Sequence, residues 1–244
     1  MKKVISYVLW GNKKLYNQGA VVNVHDAKKY YPGWTVRIHC AEDSPILDEL
    51  KSLDCEVVTF SPVFSANGLH AWNNIFQRFL PAADPEVDLT IFRDVDSRLS
   101  IREVVAVDAW LQGDKALHVM HDYPAHYFMP ICSGAWGIRG GWLPKIMEMI
   151  ERWVVASNMT CTDDRFLGVD EKFLSEVIWP IFKHGNYIGH GAHQASIEPW
   201  GKNEHPFPPH GPMEHGHFVG QKVQAEASPK IPKFLLHRKN SLMV

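Results

Sequence analysis

Three short β-prone runs separated by two helical stretches fill the first sixty residues, and this alternation constrains the fold more than any other feature. Val4 to Trp10 is apolar and closed by Gly11. Residues 19 to 31 carry Val21, Val22, Val24 and Ala27 at helical spacing, and Pro32-Gly33 breaks the chain after them. Thr35 to Cys40 alternates as a strand. Ser44-Pro45 then reads as a helix start, with proline at the first helical position and an end near Leu53. Cys55 to Phe60 is a third strand. Strand, helix, strand, helix, strand at these lengths predicts a parallel, doubly wound α/β sheet.

The chemistry is concentrated where the next strand ends. Leu89 to Phe92 is a buried-strand run that stops in Arg93-Asp94-Val95-Asp96-Ser97-Arg98. Side chains two apart on an extended chain point the same way, so Asp94 and Asp96 converge just past the strand's carboxyl end. Two carboxylates that close repel unless a proton or cation lies between them, and hard oxygen ligands suit Mg²⁺, Ca²⁺ or Mn²⁺. In open α/β sheets this is also where ligands bind. A turn aspartate that bonds its own backbone is the plainer alternative. Arg93 and Arg98 suit phosphate, or serve as ion-pair partners.

Further along, residues 70 to 80 read as a helix, with Trp72, Ile75, Phe76 and Phe79 on one side and Arg78 off it. Ser100-Ile101-Arg102-Glu103 fits a capping box that opens a helix to about Gln112. Lys115 to Met120 is a strand, and Cys132 to Gly141 is strand-like but rich in glycine. Helices follow over about Leu143 to Ala156 and from near Asp170, where Phe173, Leu174, Val177, Ile178, Ile181 and Phe182 repeat and Pro180 disturbs the end. From Glu198 onward prolines argue for an irregular tail wrapped over the domain. One domain is expected over 1–244, with an α/β core at 1–195 and a Pro/His-rich extension at 196–244.

Bulk properties exclude several classes. The chain has 25 Lys and Arg against 27 Asp and Glu, a net charge of −2, so nothing in the total charge favours nucleic acid or an anionic membrane. No stretch is long enough for a membrane span. Met1-Lys2-Lys3 before an apolar run is read as a first strand rather than a signal peptide. Cys40, Cys55, Cys132 and Cys161 form no Cys-x-x-Cys pair, as expected of reduced thiols in a cytoplasmic protein. A dinucleotide glycine fingerprint, a P-loop and a nucleophile elbow are all missing. Fourteen histidines, notably His190/His193 and His215/His217, raise zinc, but no thiolate pair or His-Glu-x-x-His helix accompanies them. His121-Asp122 and His126 lie beyond a strand end, within reach of a bound ligand or in an ordinary hydrogen-bonded loop. Trp136, set among glycines, is the tryptophan expected to face a ligand, the others being core.

Asp94-Val95-Asp96-Ser97 after a strand resembles the Asp-x-Asp signature of metal-dependent glycosyltransferases with the GT-A fold. Tyr31-Pro32-Gly33-Trp34, Arg78, Arg93 to Arg98, Ser133-Gly134-Ala135-Trp136-Gly137, Asp170-Glu171-Lys172-Phe173-Leu174 with Trp179-Pro180, and Phe218-Val219-Gly220-Gln221 occur in the expected order, and resemble a subgroup from bacteria and large DNA viruses. The resemblance implies a Rossmann-like, mainly parallel sheet flanked by helices. It implies transfer of a hexosyl unit from a nucleotide sugar, UDP-linked, to a glycan or small hydroxyl acceptor, with Mn²⁺ or Mg²⁺. Leu9, Trp10 and Gly11 then flank the base, with Arg78, Arg93, Asp94 and Val95 on the nucleotide. Asp94 and Asp96 hold the metal, completed by a later histidine, for which His190 is the nearest match. Asp122, Gly134, Ala135 and Trp136 border donor sugar and acceptor.

Asp170, or Glu171 beside it, faces the reacting sugar as base or charge stabiliser, unless Asp170 only caps its helix. Asp163 and Asp164 are weaker alternatives. A haloacid-dehalogenase-like phosphohydrolase also carries Asp-x-Asp after a strand, but on its first strand, whereas here some ninety residues come first. A non-catalytic sugar-binding relative is the other rival.

Overall fold

The computed structural model describes residues 1–64, 72–157, 168–192, 204–210 and 218–223. Eight strands form one sheet: β1 (Lys3–Leu9), β2 (Thr35–Ala41), β3 (Glu56–Phe60), β4 (Leu89–Phe92), β5 (Leu117–His121), β6 (Trp136–Arg139), β7 (Tyr187–Gly191) and β8 (Glu204–Pro206). Their order is β3-β2-β1-β4-β6-β5-β7-β8. All pairings are parallel except those of β6, which runs antiparallel to both β4 and β5. The expected mixed, mainly parallel sheet is thus observed.

The helices are α1 (Lys14–Tyr30), α2 (Leu47–Lys51), α3 (Ile101–Leu111), α4 (Ile146–Ala156), α5 (Val169–Phe173) and α6 (Trp179–Phe182). Strand alternation sorts their contacts into two cores. Ile5, Tyr7, Leu9, Leu89 and Ile91 pack with Val24 of α1 and Val107 and Trp110 of α3. Phe92 and Trp136 face the other way, toward Phe76, Phe79, Ile150 and Phe173.

Several local expectations change. Ser44 does not cap α2, which starts only at Leu47 after a turn closed by the Leu47 amide on the Ser44 carbonyl. Leu143 likewise precedes α4 in a turn. Ser100 does cap α3, its hydroxyl accepting from the Glu103 amide, but the Glu103 side chain leaves the cap for Arg93 and Tyr31. The segment Trp72–Ala82 is a 3₁₀ helix rather than an α-helix. Its period of three puts Phe76, Phe79 and Ala82 on the core side and Ile75 and Arg78 on a second face. Between α5 and α6 the chain winds one π turn, Leu174–Ile178. Pro180 has no N–H for the Glu176 carbonyl, and the wider turn sits over that gap. Ile181 is consequently exposed. The C-terminal extension is not wholly irregular, because Glu204–Pro206 adds β8 at the sheet edge. Among the described residues no helix is long and apolar enough to cross a membrane.

Candidate active site

The parity of β4 decides where each charged side chain goes. Leu89, Ile91 and Arg93 share one face; Thr90, Phe92 and Asp94 share the other. Arg93 is therefore buried on the α3 side, where Nε donates to Glu103 Oε1 at 3.1 Å and Nη1 to the Phe92 and Trp136 carbonyls at 2.7 and 3.1 Å. Glu103 also accepts from the Tyr31 hydroxyl at 2.9 Å. Arg93 borders the pocket, but its Nε and Nη1 are committed to this buried network, and Nη2 is buried without a hydrogen-bond partner. Arg98 is likewise occupied, donating to the Ser97 carbonyl at 2.9 Å. Of the two roles left open for these arginines, Arg93 takes the ion pair, with Glu103 rather than with the aspartates.

Asp94 emerges on the opposite face and meets Arg78 of the 3₁₀ helix. Arg78 Nη1 donates to Asp94 Oδ1, and Nη2 donates to Asp170 Oδ2. Burial opposes the charge on Arg78, yet the carboxylates of Asp94 and Asp170 outweigh it and hold its pKa above the ordinary value. The turn that carries the acidic pair is closed by Ser97, whose amide and hydroxyl reach the Asp94 carbonyl at 3.2 and 2.9 Å. Asp94 Oδ1 is thus engaged by Arg78, and the carboxylate is not used in making the turn.

That turn is pinned from behind by α1. Asn23 Nδ2 donates to the Val95 and Ser97 carbonyls at 3.3 and 3.0 Å. A Cβ on Gly19 would come within 1.9 Å of the Val95 carbonyl oxygen, so the helix can approach this closely only with glycine there. Gly134 makes a second close approach: a Cβ there would lie 2.1 Å from Asp94 Oδ2.

The pocket enclosed by these elements has a volume of about 630 Å³. Its wall includes Leu9, Trp10 and Gly11 from the end of β1, and Asp94, Val95 and Asp96 from the end of β4. Arg78, Asp170 and Glu171 close the far side. Because β6 is antiparallel, the residues before it, Ser133 and Gly134, arrive where the other strands leave. Ser133 Oγ donates to Glu171 Oε1 at 2.7 Å. Burial first, then the charge of Asp170 beside it, push Glu171 up to about 8. Burial and the neighbouring charge of Asp94 also raise Asp96, while Lys222 pulls it back down. The Lys222 ammonium lies 3.3 Å from Asp96 Oδ2.

Other expected contributors lie elsewhere. His190 does not join Asp94 and Asp96: its Nδ1 pairs with His118 Nε2 at 2.8 Å in the interior, and burial pushes its imidazole down to about 4. Among the described residues no cluster of three His, Cys, Asp or Glu could hold a metal ion. Trp136 is fully buried and stacks on Phe92, with ring centroids 4.1 Å apart, because the two are register partners across β6 and β4. It is core, not a sugar platform. Ala135 is buried beside Met120 and Val219. Asp122 lies outside the pocket wall, its two oxygens at 2.7 Å from Arg102 and one of them also accepting from the Val219 amide at 2.9 Å. Asp163, Asp164, His193, His215, His217 and Cys161 lie outside the described residues.

The sequence assigns no role to Ser133, Lys13, Tyr16 or Lys222, all of which border the pocket or the acidic pair. Lys13 had a visible signal, a cation directly after the turn that ends β1. Lys222 had none, since nothing local ties it to a strand far away in the chain.

A comparison with protein-family models finds no match, and neither does one with curated sequences. Similarity appears in three dimensions. The structure of an active-site mutant of LgtC superposes with a TM-score of 0.50 at 13% identity, over 85% of this chain and 88% of that one. The fold is GT-A-like. Within this GT-A-like frame the pocket lies outside the carboxyl ends of β1 and β4, and three parallel strands come before or beside Asp94 in the chain, unlike the first-strand aspartate of the phosphohydrolase alternative. The galactosyltransferase LgtC in complex with donor and acceptor sugar analogs gives 0.47 at 13% identity, covering 78% of this chain and 73% of its own. A glycosyltransferase involved in glycosylation of the major capsid of PBCV-1 gives 0.48 at 12%, covering 79% and 82%.

Proposed function

We propose that this chain is a glycosyltransferase that moves a hexosyl unit from a UDP-linked sugar to a glycan or other hydroxyl acceptor, with Mn²⁺ or Mg²⁺ held by Asp94 and Asp96. One observation carries the reading: Arg78, Asp94, Asp96, Asp170 and Glu171 all border one pocket of about 630 Å³ at the strand ends. That volume is in the range of small-molecule sites.

The residues at hand supply part of a divalent-ion site, two carboxylates without a third protein ligand among the described residues. Asp94 and Asp96 offer hard oxygen donors on one turn, and the ammonium 3.3 Å from Asp96 is a cation already drawn to that spot. A bound ion would supply Lewis-acid neutralisation of the departing diphosphate. The remaining work falls to the chain itself. Arg78, locked between two carboxylates, fixes Asp94 at the metal side and Asp170 at the sugar side, so both are oriented before substrate arrives. Glu171, with a pKa of about 8 and a partner in Ser133, suits taking the proton from the acceptor hydroxyl. Asp170, held in its ion pair, is better suited to stabilising positive charge at the anomeric carbon. Leu9, Trp10 and Gly11 flank the base.

The test is a panel of nucleotide sugars with Mn²⁺ or Mg²⁺, read as release of nucleoside diphosphate and as transfer to sugar acceptors. Metal-dependent turnover that Asp96→Ala abolishes is expected. Undiminished activity in chelator, with Asp96→Ala as active as the parent, would reject the mechanism.

A further inference from the structure

Two described pieces of the C-terminal extension converge on the ion pair of Asp122 with Arg102, the latter in the first turn of α3. Arg102 Nη1 lies 2.7 Å from His210 Nε2, and its guanidinium sits 4.0 Å over the Phe207 ring. Its Nε and Nη2 bind Asp122 in a two-point ion pair. Asp122 in turn accepts from the Val219 amide, and Phe218 stacks on Tyr123 with ring centroids 4.5 Å apart. Four residues on, the Val223 amide donates to the Asp96 carbonyl at 2.8 Å. Val219 and Val223 are both buried, so the segment is anchored at each end. Between the anchors, Lys222 reaches Asp96 Oδ2 and lies 5.4 Å over the Tyr16 ring. Asp122 and Arg102 are thus far from idle, although neither touches the pocket.

We propose that the Asp122–Arg102 pair is a positioning device that seats residues 218–223 across the acidic turn, and that Lys222 on this strap is a built-in counter-cation of Asp96 which a divalent metal must displace. The proposal rests on the reading of Asp94 and Asp96 as a divalent-cation site. Its physical content is competition. An ammonium and a metal ion compete for the charge of the same carboxylate, and the lysine's charge also repels an arriving dication. Losing the lysine, or losing the seat that presents it, therefore strengthens metal binding. Because the Lys222 side chain is 60% exposed, its hold on Asp96 is modest, and the expected gain is about threefold to fivefold.

Titration calorimetry with Mn²⁺ alone, paired with amide hydrogen exchange over 218–223, tests this on the full chain. Lys222→Gln should tighten Mn²⁺ about threefold and leave exchange unchanged, since the backbone anchors stay. Asp122→Asn should tighten Mn²⁺ similarly and also speed exchange at Val219 and Val223. A purely structural role for Asp122 would speed exchange without moving cation affinity. If the buried Asp122 variant does not fold, Arg102→Gln takes its place, and Lys222→Gln, at an exposed side chain, decides the competition by itself. Equal affinity in the parent and Lys222→Gln overturns the proposal. Absence of Mn²⁺ binding in the parent and in both variants removes instead the reading of the acidic pair, and the proposal with it.

Discussion

Asp94 and Asp170 are joined through a single side chain, with Arg78 donating from Nη1 to the first and from Nη2 to the second. The two carboxylates come from separate parts of the chain, the end of β4 and the first turn of α5, and a buried guanidinium sets their separation. A planar fork can serve two oxygens in fixed directions, whereas an ammonium is a point charge.

Arg78→Lys should therefore keep the charge but lose the geometry, lowering kcat/KM about a hundredfold. Arg78→Ala should in addition lower stability by about 3 kcal/mol, because Asp170 stays buried without its counter-ion. Denaturant titration beside steady-state kinetics separates the two effects. Equal activity of Arg78→Lys and the parent would show that the fork is dispensable.

Gly134→Ala pushes a methyl into Asp94 Oδ2, where a Cβ would lie 2.1 Å away. Asp94 must swing off Arg78 or off the pocket, and a misplacement of this size costs about a hundredfold in turnover. The fold should survive, since the clash is with a side chain at a pocket wall. Thermal melting together with donor-hydrolysis rates checks this; loss of folding without a specific rate effect would contradict it.

Glu171 supplies a pH signature. Its carboxyl titrates near 8 in the folded chain against about 4.5 unfolded, so between these values the folded state holds the extra proton. Stability from this group is complete below the lower value and falls as pH rises through about 8. In its proposed role as base it must be ionised, so kcat/KM should climb with pH toward the same value. Glu171→Gln should remove the climbing limb and flatten the stability loss, measured by a pH–rate profile and by melting from pH 5 to 9.

His39 behaves in the opposite sense. It is buried on β2, neither ring nitrogen has a hydrogen-bond partner, and burial, followed by the charge of Arg37, pushes it down to about 4. The unfolded chain takes up this proton near 6.5, so the stability it allows is present above that pH and is lost as pH falls toward 4. His39→Leu should raise stability by about 1 kcal/mol at pH 7, and by more at pH 5. Denaturant midpoints at the two pH values decide it.

Much of this arrangement is readable in the chain. The β1 to β4 half announces itself through apolar runs between clear breakers, and Asp94, Asp96, Arg78, Asp170 and Glu171 do gather at one pocket. β7 escapes because Tyr187–Gly191 holds two glycines and two polar-capable residues in five, and β8 because it ends in proline. Trp136 and Asp122 escape for a different reason: residue type marks sugar-binding potential, but only the register with Phe92 and the partnership with Arg102 reveal that both are already engaged. The opposite facing of Arg93 and Asp94 was available from strand parity alone. The 3₁₀ winding of Trp72–Ala82 was not, since apolar spacing there satisfies either period.

The reversed direction of β6 has a consequence for how such a cleft could diversify. One wall of the cleft is supplied by chain on its way into the sheet, and the opposite wall by chain on its way out. Lengthening the stretch ahead of Ser133 would reshape the side facing Glu171 without disturbing the turn after β4. Under the proposed function, acceptor selectivity and donor retention would then be carried on separately editable connections.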